Sequence, residues 1–126
     1  MKVLLSIKPE YVKLIIEGKK KYEYRKAIFK VEEVTSVVVY ATKPYGKVVG
    51  EFTFDEIIKD HPKRLWEQTQ YASGLTMESF SNYFKNRDKG FAISIDEFIP
   101  YDKEMLLQDY DDTIKQAPQS FQYLRG

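Results

Sequence analysis

The sequence contains no cysteine. That excludes disulfides, thiol nucleophiles, iron–sulfur clusters and thiolate zinc sites. Histidine occurs once, at His61, so a multi-histidine metal site is excluded and a Ser-His-Asp triad has a single candidate base. No apolar run approaches the roughly 20 residues of a membrane-spanning helix. The opening MKVLLSIKPE is too short, and too soon interrupted by charge, to read as a secretory signal. No internal repeat, low-complexity stretch or linker divides the chain. These absences set the expectation of a cytoplasmic protein with no membrane association, metal or cofactor.

What is present suits one domain over residues 1–126 with one core. Apolar residues make up 43% and charged residues 31%, the balance of a globular chain. Ten Tyr, eight Phe and one Trp are enough to fill a compact interior. The net charge of +1 hides an asymmetry. Residues 1–30 hold nine Lys or Arg against three Glu, whereas the remainder holds eleven against sixteen acidic residues. A basic first quarter is either a solvated lysine-rich surface or the footprint of an anionic ligand.

Val3-Leu4-Leu5-Ser6-Ile7 reads as a buried strand. Pro9 fits the first turn of a helix over 9–17, with Tyr11, Val12, Ile15 and Ile16 at helical spacing and Gly18 as the stop. Residues 22–25 alternate as an extended segment. Val37–Tyr40 and Lys47–Phe54 are strands, and Gly50 in the second marks a bulge or a close backbone approach. The region 55–88 reads as mostly helical. It has a short amphipathic stretch around Leu65, Trp66 and Thr69, and a capped helix from Thr76 to about Phe84. Gly90–Ile99 is a strand, and a last short strand is expected near Ser120–Tyr123. This order does not suit a doubly wound sheet. It predicts an α+β fold, mainly β, as a small mixed barrel of five to six strands with flanking helices.

The most informative stretch is Gly18-Lys19-Lys20-Lys21-Tyr22-Glu23-Tyr24-Arg25. Three lysines after a helix C-terminus complement its dipole without any ligand, and Glu23 with Arg25 can simply pair on a strand. The same residues also combine point charges, a planar guanidinium fork and stacking faces, which is what an RNA-facing loop needs.

The ordered set of motifs is similar to the ASCH domain pattern of the PUA-like superfamily. It comprises Ser6-Ile7-Lys8-Pro9, then Ile15-x-x-Gly18-x-Lys20-Lys21-x-Glu23-x-Arg25, then Tyr40-Ala41-Thr42-x-Pro44 and Gly50-Glu51-Phe52. The likeness continues through Tyr83-Phe84 and Gly90-Phe91-Ala92-Ile93. The resemblance implies a cleft beside the first helix that binds RNA or a nucleotide-like small molecule. Ser6, Lys8, Lys20, Lys21, Glu23 and Arg25 would line it, with Tyr40, Thr42 and Lys43 on the strand opposite. On physical grounds Lys20 and Arg25 would hold phosphate, and Glu23 would accept from an exocyclic amine or a ribose hydroxyl.

One branch of small ASCH proteins resembles an amidohydrolase of acylated cytidines, with a lysine where Lys20 stands. It has a threonine nucleophile where this chain has Glu23, and a carboxylate attacking an amide would be different chemistry. Its acidic partner has no clear match; Ser73 lies near that place, between Glu67 and Glu78. Other ASCH proteins resemble ribonucleases. The pattern favours a binding module over an enzyme, with Lys20 and Glu23 as the catalytic candidates if there is turnover. A third reading is a protein-interaction module using the acidic tail from Asp102, although no protein partner is indicated. Asp109-Tyr110-Asp111-Asp112 reads as a solvated turn, because it lacks the Gly and distal Glu of a calcium loop. His61 reads as an exposed loop residue and Trp66 as a core anchor.

Overall fold

The computed structural model describes residues 1–124, so the last two positions of the expected domain lie outside the described residues. Six strands form one mixed sheet in the order β2-β5-β4-β3-β1-β6. They are β1 (Lys2–Ile7), β2 (Tyr22–Arg25), β3 (Ser36–Ala41), β4 (Lys47–Asp60), β5 (Gly90–Met105) and β6 (Gln122–Leu124). Four helices accompany them: α1 (Pro9–Ile16), α2 (Pro62–Thr69), α3 (Met77–Tyr83) and the single turn α4 (Leu107–Tyr110). The α+β expectation is met.

Barrel closure is not. Among the described residues no strand pairing joins β2 to β6. β2 and β6 are the two edge strands, each paired on one side only, with β5 and with β1 respectively. Side chains span the gap instead. The Arg25 guanidinium donates to the carbonyls of Ser6 (3.2 Å) and Ser120 (2.5 Å), and the Lys30 amide donates to the Tyr123 hydroxyl at 2.8 Å.

β1 and β3 pair in parallel, Val3 opposite Val37 and Leu5 opposite Val39. Both are buried on both faces, which is why they read as unbroken apolar runs. Val3, Leu5, Val37 and Val39 pack with Val12 and Ile15 of α1. Leu4, Val38, Tyr40 and Val48 form the opposite core with Ile114 and Leu124. The segment after β5 is therefore not a free acidic arm but covers this second face. A third core joins Tyr22 and Tyr24 of β2 to Leu65 of α2 and to Phe80 and Phe84 of the α3 region.

The helical expectation for 55–60 fails, because β4 runs on to Asp60, with Ile57 opposite Ile93 and Ile58 opposite Ala92. Sheet pairing there overrides an acidic, weakly periodic local sequence. Gly50 behaves as predicted. A Cβ there would lie 2.6 Å from the Ile99 carbonyl oxygen, and the register shifts beside it. Gly18 ends α1 with φ +75. Thr76 caps α3 through its Oγ1, which accepts from the Ser79 amide at 3.1 Å. His61 is not a free loop residue: it is half-buried and caps α2, its Nδ1 accepting from the Lys63 amide. Trp66 packs on Phe80 with ring centroids 4.8 Å apart, as a core anchor does. Asp111 holds its turn by accepting from the amide and hydroxyl of Thr113.

Candidate functional site

Three elements enclose a cleft of about 490 Å³: the end of β1 with the start of α1, the strand β2, and the exposed face of α3. Of the residues expected there, Ser6, Lys8, Lys20, Glu23 and Arg25 line it. The other four do not. Lys21 points to solvent, its amide bound to the Ala72 carbonyl. Tyr40 is buried in the core on the second sheet face, because β3 has no solvent-facing side. Thr42 and Lys43 line a separate, shallower hollow that also includes Lys8.

Lys20 dominates the site. Its residue surface is only 2% exposed. The chain brings it inside because Lys19 and Lys20 close the end of α1, both amides donating to the Leu14 carbonyl. The ammonium donates to the Ser73 carbonyl at 2.7 Å. It lies 5.1 Å from the Tyr11 ring centroid and 4.8 Å from that of Tyr24, within reach of cation–π attraction. Its aliphatic stem fits against Gly74, where a Cβ would come within 2.9 Å of three of its carbons. Burial lowers the Lys20 pKa from 10.5, and the charge of Glu23 only partly opposes that. An ammonium has three donors, and one protein acceptor takes one of them.

Glu23 does not pair with Lys20. Its carboxylate is held by the Arg25 guanidinium at 3.1 Å, and both side chains are largely buried. Arg25 also donates to Ser6 and Ser120 as described above, so three of its five N–H donors serve the fold while its side chain still lines the cleft. Ser6 is engaged as well, its hydroxyl donating to the Pro118 carbonyl at 2.8 Å. Ser73 thus offers Lys20 a neutral carbonyl and not a carboxylate. Its own hydroxyl closes a local turn with the amide and carbonyl of Leu75.

The opposite wall escaped the sequence reading. Leu75, Ser79, Asn82 and Tyr83 line the cleft, and so does Tyr11. The signal was available: Ser79, Asn82 and Tyr83 share one face of α3 at i, i+3 and i+4, with Leu75 just before its cap. At this rim Lys26 sits with its ammonium 4.7 Å from the Tyr83 ring centroid. Burial raises the pKa of Tyr83. It also raises that of Tyr24, to about 12, against the effect of its hydrogen bond with Thr69, so both stay neutral hydroxyls.

The chain falls in a known class. The ASCH domain model matches residues 5–99, and the chain belongs to the ASCH domain family. A protein of Zymomonas mobilis named as an ASCH domain-containing ribonuclease is 28% identical over 123 residues, which cover 97% of this chain and 83% of that protein. The crystal structure of ASCH from Zymomonas mobilis superposes with a TM-score of 0.87 at 25% identity, covering 98% of this chain and 87% of that one. The large ribosomal subunit protein uL22 of Ureaplasma parvum is 24% identical over 123 residues. This chain spans 98% of its own length in that match but only 39% of the ribosomal protein. Among the described residues, no helix is long and apolar enough to cross a membrane.

Proposed function

We propose that the cleft binds single-stranded RNA, with one nucleotide seated between α1 and α3. The observation that carries this is the buried Lys20 ammonium, fixed by one carbonyl and two tyrosines at the floor of a nucleotide-sized cleft. Its remaining donors suit an anionic or carbonyl oxygen of the ligand. Tyr11 and Tyr83 supply aromatic surface for a base. Ser79 and Asn82 supply hydrogen bonds to a base edge or ribose, and Lys8 and Lys26 supply charge at the rim. A cleft of this volume lies in the range of small-ligand sites. It suits an unpaired nucleotide better than a duplex, and no recognition-helix pattern argues for duplex DNA. The relative named as a ribonuclease supports an RNA-directed role, and the cytoplasm is the compartment that this role suits.

A second reading, turnover of the bound RNA, is favoured by one observation. Lys20 has a lowered pKa and would exchange a proton more readily than an exposed lysine. Glu23, the other catalytic candidate, is ion-paired with Arg25 through one oxygen, and its charge still reaches Lys20.

The test is a titration of labelled single-stranded and duplex RNA at about 50 and about 200 mM salt, using wild type, Lys8→Glu and Lys20→Met. The expected result is tighter binding to the single strand, weakening with salt, and at least about tenfold loss in both variants. Absence of binding, or equal affinity in all three proteins, overturns the proposal. Shortening of the wild-type RNA over time that vanishes in Lys20→Met would establish the second reading.

A further inference from the structure

The hollow lined by Thr42 and Lys43 adjoins the cleft through a single shared residue. Lys8 lines both concavities, and its ammonium stands 5.8 Å from the Tyr11 ring centroid at the divide. The hollow is wide and shallow, about 840 Å³. It is lined by the turn Thr42-Lys43-Pro44-Tyr45 and by Lys8, Pro9 and Glu10. The turn is not a loose loop. The Tyr45 amide donates to the Thr42 carbonyl at 3.1 Å and the Gly46 amide to the Ala41 carbonyl at 3.0 Å. Gly46 has φ +68, and the buried Tyr40 hydroxyl lies beneath it. Tyr45 keeps a surface 49% exposed, yet its hydroxyl is anchored on the Glu104 carboxylate. An exposed aromatic ring held at its far end is pre-organised for stacking, because little side-chain freedom remains to be lost on binding.

We infer that this turn is a second nucleotide subsite, and that an RNA strand runs from the cleft across Lys8 onto Lys43 and Tyr45. The inference rests on the RNA reading of the cleft and adds the path by which the strand leaves it. The phosphodiester between the two nucleotides lies at Lys8, the neighbouring base stacks on Tyr45, and the next phosphate meets Lys43. Base stacking on an aromatic side chain tolerates any base, so this subsite adds affinity and length dependence rather than sequence choice. Glu10 lies in the same hollow and keeps the strand's phosphates on the Lys43 side by repulsion.

The test compares nucleoside 5′-monophosphates with single-stranded RNA tetramers on wild type, Tyr45→Ala and Lys43→Glu, with thermal melts to verify the fold. The inference predicts that wild type binds the tetramer more tightly than any monophosphate. It also predicts that each variant loses about tenfold on the tetramer while monophosphate affinity stays within about twofold. Equal affinity of wild type for tetramer and monophosphate overturns the subsite and leaves the cleft reading standing. So does tetramer affinity that both variants preserve. If wild type binds neither probe, the cleft reading falls and the subsite falls with it.

Discussion

The ammonium of Lys20 meets the carbonyl oxygen of Ser73 at 2.7 Å, across 53 positions of the chain. That bond joins the end of α1 to the turn before α3, the two walls of the cleft. Burying an ammonium is unfavourable unless its donors are satisfied, and the depressed pKa of Lys20 says that desolvation outweighs what it gains. Lys20 is thus a buried cation whose surroundings disfavour its charge.

Lys20→Met is therefore expected to leave the protein at least as stable at pH 7, with a melting temperature unchanged or raised by up to about 5 °C. The sign with pH follows from linkage. The folded pKa lies below the unfolded value of 10.5, so the penalty of burying the charge is complete below the folded pKa and is relieved as pH rises through it. The stability difference between Lys20→Met and wild type should narrow as pH rises toward the unfolded value of 10.5. Chemical denaturation across that range checks it. A variant destabilised at pH 7, with a gap that widens as pH rises, would contradict the account.

Gly74 positions Lys20. It sits at φ +71, and a Cβ there would press on the lysine stem at 2.9 Å. Gly74→Ala is expected to lower stability by about 1–3 kcal/mol through backbone strain alone. It should also weaken RNA binding by displacing the ammonium. Urea melts and the titration described above read the two effects separately, and loss of stability with full retention of binding would mean that Lys20 is not held by this turn.

Arg25 acts as a clasp across the open edge of the sheet. Arg25→Lys keeps the charge beside Glu23 but not the fork that reaches Ser6 and Ser120. A loss of about 2 kcal/mol is expected, with faster hydrogen exchange in residues 118–121. Unchanged exchange there would show that the segment is held by its apolar contacts alone.

The segment after β5 belongs to the core. Ile114 is buried against Leu4, Val38 and Val48, so Ile114→Ala should cost about 2–4 kcal/mol. A urea midpoint shift well below that would restore the picture of a detachable tail.

Much of this fold was legible because β1 and β3 are apolar runs that sheets buried on both faces require, and because Pro9, Gly18 and Thr76 mark helix ends by known chemistry. Residues 55–60 were not legible. Asp55-Glu56-Ile57-Ile58 has no strand alternation, and only pairing with β5 extends it. The sequence placed Lys20, Glu23 and Arg25 together, and they do line one cleft, but which of them pairs with which was not legible. Lys19, Lys20 and Lys21 look alike in sequence, and the turn that selects Lys20 for burial lies more than fifty residues away. Tyr40 looked available because the burial of β3 on both faces depends on the tail, which reads as an acidic surface.

The central claim, RNA in the cleft between α1 and α3, is tested most directly by mapping amide chemical shifts of the isotope-labelled protein during titration with single-stranded RNA. The account predicts perturbations concentrated in residues 6–11, 20–25 and 75–83, with little change in residues 102–115. Perturbations confined to that last segment, or none at saturating RNA, would contradict it.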